Sequence, residues 1–295
     1  MSTFKKESQK KVLMRILLFF ALFLSVYLMA TLGYQKSGLS TAISPVYANA
    51  IIFGAATFIL VPLFRKIADK RSFISIGLTM KTAGKDATLG LMLATAILGT
   101  GSLLLYFNHN LEYFGITPVP ADLFAGLGLM GLIAFSEEIV FRGYVLGNLL
   151  ESLNKWLALI ISAALFALVH SGNPEVSVIA IINVFVAGIL LGINYVYTRN
   201  LWFSIVFHFA WNFLQGPVLG FDVSGLELES LVQADARGSI LLTGGKFGFE
   251  ASVIETALFL ISIFLLFRYY KGGDLNSRIV AENKNPGIES EYRDR

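Results

Sequence analysis

Few side chains inside the apolar stretches of this chain could do chemistry, and they fall into three short groups. Glu137, Glu138 and Arg142 lie in FSEEIVFRG, His170 follows Phe166 by four residues, and His208 precedes Asn212 by four. Each is costly to keep in hydrocarbon, so an ionisable residue in such a place is a functional candidate by default. On a helix, Glu138 and Arg142 share a face with the acid on the N-terminal side, the favourable order for an ion pair. Glu137 points about 100° away at 3.6 residues per turn. One carboxylate is thereby neutralised as structure and its neighbour is left to face a cavity. His208 and Asn212 share a face by the same spacing, and the Phe166 ring, one turn before His170, can wall the histidine's pocket. Two histidines, one free carboxylate and one carboxamide suffice to hold and deprotonate a water molecule and to stabilise an oxyanion, the needs of peptide hydrolysis.

The elements that must position these groups are membrane helices. Over 295 residues the chain is 55% hydrophobic and 15% charged, with a mean hydropathy of +0.68, against about a quarter charged in soluble domains. A span needs roughly 20 apolar residues, and eight runs qualify, near 12–33, 43–64, 88–107, 121–148, 155–171, 176–197, 201–219 and 251–270. The expected fold is all-α, a polytopic bundle of about eight transmembrane helices. Along the chain this reads as N-terminal spans with a basic loop over 1–119, a site-bearing core over 120–218, an outer loop and last span over 219–271, and a disordered tail over 272–295. Lys5, Lys6, Lys10, Lys11 and Arg15 precede or open the first span, and Arg65, Lys66, Lys70, Arg71, Lys81 and Lys85 fill the loop between spans two and three. Of 23 Lys and Arg, only Lys36, Arg237 and Lys246 fall in the alternate loops. The positive-inside rule then places both termini in the cytoplasm of a multi-pass cell-membrane protein. At 1.5 Å per residue, His208 lies about 10 Å in from the cytoplasmic end of span seven and His170 about 22 Å along span five. The two meet only if span five starts below the bilayer surface or tilts.

Several chemistries are excluded. Without cysteine there is no disulfide, thiolate nucleophile or Cys-ligated zinc. Every aspartate lies in a loop, in the tail or at a span's edge, which argues against a paired-aspartate protease, and no HExxH occurs. No basic patch interleaved with aromatics suggests a nucleic-acid partner. Gly126, Gly128 and Gly131 match GxGxxG inside a span with no strand before it, and read as a helix-packing face, as do Gly188 and Gly192. Asn183 and Asn194 read as interhelical hydrogen-bond partners, Tyr197 and Trp202 as interfacial anchors, and His109 as solvated. The stretch from Gly220 to Phe249 reads as a connection, with a lid or partner-binding loop as the alternative.

Glu137-Glu138-Ile-Val-Phe-Arg142, Phe166-Ala-Leu-Val-His170 and His208-Phe-Ala-Trp-Asn212 resemble, in order, the EExxxR, FxxxH and HxxxN motifs of the CPBP family of intramembrane endopeptidases. This is also called the CAAX prenyl protease or Abi family, and the resemblance spans about residues 121–215. It implies a helix bundle around a cavity opening to the cytoplasm, with Glu137 and His170 activating water and His208 and Asn212 stabilising the oxyanion. The implied partners are membrane lipids and a peptide or lipid-anchored protein substrate, prenylated CAAX-type or bacteriocin-like. Members have been called metalloproteases, and His170, His208 and Glu137 could hold zinc. The Asn212 amide suits an oxyanion donor better than a metal ligand. A glutamate-type mechanism with no cofactor is favoured, with zinc as the alternative. A second reading is a non-catalytic membrane scaffold that gives bacteriocin self-immunity or regulates another membrane protein. A third, a proton-relaying transporter, calls for internal repeats that the chain does not display.

Overall fold

The computed structural model describes residues 8–117 and 120–284; Lys5, Lys6 and the last part of the expected tail, 285–295, lie outside the described residues. In hydrocarbon every backbone polar group must be satisfied within its own segment, so the apolar runs fold as helices. They are α1 (Gln9–Lys36), α2 (Pro45–Ile67), α3 (Ala83–Phe107), α4 (Pro120–Leu149), α5 (Lys155–His170), α6 (Val178–Thr198), α7 (Trp202–Phe213) and α8 (Val253–Lys284). Local chemistry sets several ends. Pro45 opens α2 at a position where its missing N–H costs nothing. The Asn154 and Ser177 side chains cap α5 and α6 by accepting from the backbone N–H of Trp156 and Ala180. Arg199 ends α6 in the left-handed conformation.

Eight helices thus lie where eight spans were expected, but they differ in reach. Among the described residues, six are long and apolar enough to cross a membrane: α1, α2, α3, α4, α6 and the Val253–Gly272 part of α8. The other two, α5 with 16 residues and α7 with 12, are shorter, and α7 is prolonged by a π-helical turn over Leu214–Val218. Helix α8 continues to Lys284, past Gly272, where the composition had suggested that order ends.

Helix α4 carries the acidic motif and is not uniform. It is α-helical to Glu138, π-helical over Ile139–Leu146 and α-helical again over Gly147–Leu149. Wide π segments inside helices occur often at functional sites, and here every residue of the segment is buried. It is held by aromatic packing, with the Tyr144 ring 4.4 Å from that of Phe19 on α1. Helices α5 and α6 approach closely at Gly188, where a Cβ would come within 2.8 Å of the Ala163 Cα. That is the small-residue contact foreseen for Gly188. The other glycine motif does not form one packing face: Gly126 presses on Pro217, whereas Gly128 meets nothing within 4 Å.

The stretch after α7 is more than a connection. A small antiparallel sheet pairs β1 (Leu111–Ile116) with β2 (Val232–Ala236), Leu111 opposite Ala236 and Ile116 opposite Val232. Phe221, Phe247 and Phe249 are buried, and Gln215 Nε2 donates to the Asp222 carbonyl at 2.7 Å. Residues 219–252 are thereby folded down onto the bundle beside α6, α7 and the start of α8.

Candidate active site

Glu137 and Glu138 stand where α4 changes from α to π geometry, His170 closes α5, and His208 and Asn212 lie on α7. Glu138 and Arg142 are fully buried and pair as their spacing requires, Arg142 Nη1 donating to Glu138 Oε1 at 2.7 Å. The same Glu138 oxygen accepts from His208 Nδ1 at 2.9 Å. Glu138 is therefore more than an arginine's counter-ion, because it fixes the His208 ring and turns Nε2 away from itself. On α5, His170 Nδ1 donates to the Phe166 carbonyl at 2.8 Å, which likewise leaves Nε2 free. Both free nitrogens point at one atom: Glu137 Oε2 lies 3.7 Å from His170 Nε2 and 3.9 Å from His208 Nε2. Those separations exceed a direct hydrogen bond, and Oε2 is buried without a hydrogen-bond partner. The two histidines reach one carboxylate, so the depth mismatch that hydropathy suggests between spans five and seven is resolved.

Phe166 walls the group. Its ring centroid is 4.3 Å from that of His170, 6.1 Å from His208 and 5.2 Å from Phe141, and the Arg142 guanidinium lies 4.1 Å from it. A cation over an aromatic face is attracted by the ring's quadrupole, so one phenyl ring braces the ion pair and both histidines.

A cavity of about 40 Å³ adjoins the histidines; its polar lining is His170, His208 and Asn212 with three residues outside the motifs, Ser224, Glu250 and Glu255. It has room for two or three water molecules, and none for a peptide. Glu137 does not line it; its side chain is 18% exposed, so the histidines border this cavity and the Glu137 carboxylate alike.

His170, His208 and Glu137 are the donor types that zinc takes. As placed, however, no group of three or more His, Asp or Glu among the described residues is arranged to hold a metal ion.

Sequence reasoning missed Glu250, Glu255 and Ser224. Glu255 carried a signal, since it falls inside the span expected over 251–270. Glu250 and Ser224 carried none, because both come from the stretch read as a connection. Asn183 is an interhelical partner as foreseen, its Nδ2 donating to the Glu250 and Ser252 carbonyls and to Glu255 Oε2. Asn194 likewise bonds Tyr270 on α8.

No curated protein matches the chain. Residues 119–214, which contain all three motifs, match the family model of the type II CAAX prenyl endopeptidase Rce1-like proteins. With six helices long and apolar enough to cross a membrane among the described residues, the chain is a membrane protein whose central third is similar to the type II CAAX prenyl endopeptidases.

Proposed function

We propose that the protein is an intramembrane endopeptidase of glutamate type, hydrolysing a peptide bond in a peptide or lipid-anchored substrate. The observation that carries this reading is the convergence of both histidine Nε2 atoms on Glu137 Oε2 at 3.7 and 3.9 Å, distances a bridging water can span. Glu137, helped by His170, takes a proton from that water as its oxygen attacks the scissile carbonyl. The proton is then passed to the leaving amine as the C–N bond breaks. The Asn212 amide and His208, charged and paired with Glu138, donate to the oxyanion. No step requires a metal. Zinc held by His170, His208 and Glu137 is the competing mechanism, and its chemistry would be to polarise the carbonyl and the water.

The test is cleavage of prenylated and unprenylated CAAX-type peptides and bacteriocin-like peptides by detergent-purified protein, with and without chelator. Cleavage that survives the chelator supports the glutamate mechanism, and the peptides cut identify the substrate class. Cleavage abolished by chelator and restored by zinc overturns the metal-free mechanism. Failure to cut any peptide turns the reading to the scaffold.

The charge distribution supports a cell-membrane location with both termini and the loop after α2 in the cytoplasm, and residues 219–252 outside. The chain has no native cysteine, so single substitutions report sidedness cleanly. In intact cells an impermeant thiol reagent is expected to label Glu229→Cys and to spare Lys81→Cys, both exposed positions. The reverse pattern would invert the topology.

A further inference from the structure

Two carboxylates at the cavity have no part in the mechanism above. Glu250 and Glu255 are 8% and 2% exposed, and both line the cavity beside His170 and His208. Glu250 Oε1 accepts from Trp211 Nε1 at 3.0 Å, and its Oε2 from the Ser224 N–H and hydroxyl at 2.8 and 2.6 Å. Glu255 Oε2 accepts from Asn183 Nδ2 at 3.0 Å. All these donors are neutral, and among the described residues no lysine or arginine pairs with either acid.

Burying acids with no lysine or arginine beside them is costly, the histidines offset that cost for Glu250 only in part, and two such acids at one small cavity are worth keeping where a ligand brings further positive charge. A second, independent feature of the cavity also points to a ligand. Asn212, 5% exposed, lines the same space, and its amide makes no hydrogen bond among the described residues. The other walls combine Val184, Ala187 and Leu191 with aromatic rings: Trp211 and Phe259 stand 4.9 Å apart and Phe207 stacks on Trp211 at 6.0 Å, and such rings attract cations. A volume of about 40 Å³ suits a compact ammonium better than a planar guanidinium.

We infer that the Glu250–Glu255 wall, with Asn212 and the ring of Trp211, is a subsite for a primary ammonium group. Its source is a lysine side chain or the α-amino group of the substrate, seated beside the histidine pair. Its place beside the scissile bond rests on the protease reading, whereas the binding of an ammonium group does not.

Trp211 lies in the subsite and the chain has only two other tryptophans, Trp156 and Trp202. In protein carrying Trp156→Phe and Trp202→Phe, n-butylammonium is expected to change the Trp211 emission saturably, and n-butanol at the same concentrations is not. Glu250→Gln with Glu255→Gln should weaken the ammonium response about tenfold or more, the worth of a lost charge-assisted contact. Equal responses to the charged and neutral probes overturn the inference, as does undiminished affinity in the double variant. The comparison of probes needs no acid variant and so decides the matter even if the double variant misfolds. In the cleavage assay, replacing lysine by norleucine and acetylating the N-terminus separate the two sources. Cleavage indifferent to both removes the substrate role, whereas saturable ammonium binding without cleavage of any peptide leaves the subsite standing and sinks only the protease reading.

Discussion

Two pairs of acids flank the same histidines in different company. On α4, Glu138 is matched by Arg142 from its own helix, and Glu137 is left unbonded within reach of both imidazoles. On the other side, Glu250 and Glu255 meet only neutral donors from three separate elements: Trp211 on α7, Ser224 in the stretch after it and Asn183 on α6. The first pair is divided, one acid bonded to an arginine and a histidine and the other left without a hydrogen bond at its buried Oε2. The second has no lysine or arginine partner among the described residues, and the positive charges that act on Glu250 are those of His170 and His208. A buried acid with its own arginine contributes to the scaffold; one without offers a place for something positive.

This contrast can be broken in order of expected effect. Removing the cation of the first pair should cost most: Arg142→Met strands Glu138 in the bundle and is expected to lower stability by about 3–5 kcal/mol, read as a fall in the thermal midpoint in detergent. A midpoint unchanged from wild type would mean that the pair contributes nothing net. Asn212→Ala touches no ion pair and should leave the midpoint in place while cutting the cleavage rate about 10²–10³-fold, the usual loss for one oxyanion donor. The smallest effect belongs to Glu250, whose pKa lies above the ordinary 4.5 because burial outweighs the Ser224 and Trp211 hydrogen bonds and the charges of His170 and His208. The folded protein therefore keeps a proton that the unfolded chain releases. Its stability is undiminished by this group below pH 4.5 and declines as pH rises through the raised folded value. Glu250→Gln should abolish that part of the decline, so the midpoint of wild type relative to the variant should fall across this window in a pH series. A difference that stays flat with pH would contradict the assignment.

The helices were legible because hydrocarbon tolerates little else, and all eight begin within a few residues of the apolar runs. Helix ends and geometry were less so: α7 turns from α to π at Leu214, and α8 runs on to Lys284 well past the apolar run. The π segment of α4 had no signature, since Ile139–Leu146 reads as ordinary apolar helix. Within the site, pairs four residues apart were readable: Glu138 with Arg142, and Phe166 with His170, whose ring nitrogen also bonds the Phe166 carbonyl. The contact of Glu138 with His208 was not, because it joins residues seventy positions apart. Nor was the acidic wall, whose donors are gathered by the tertiary fold from α6, α7 and the 219–252 stretch.

The central claim is that the adjacent acids Glu137 and Glu138 have different work. It is tested most directly by comparing Glu137→Gln with Glu138→Gln for cleavage rate and thermal midpoint on one peptide that the wild type cuts. Glu137→Gln should lose about 10²–10⁴-fold in rate, the usual contribution of a general base, at an unchanged midpoint, while Glu138→Gln should lower the midpoint as Arg142 loses its charged partner and His208 its anchor. Wild-type cleavage by Glu137→Gln, or two variants that lose rate and midpoint alike, would contradict it.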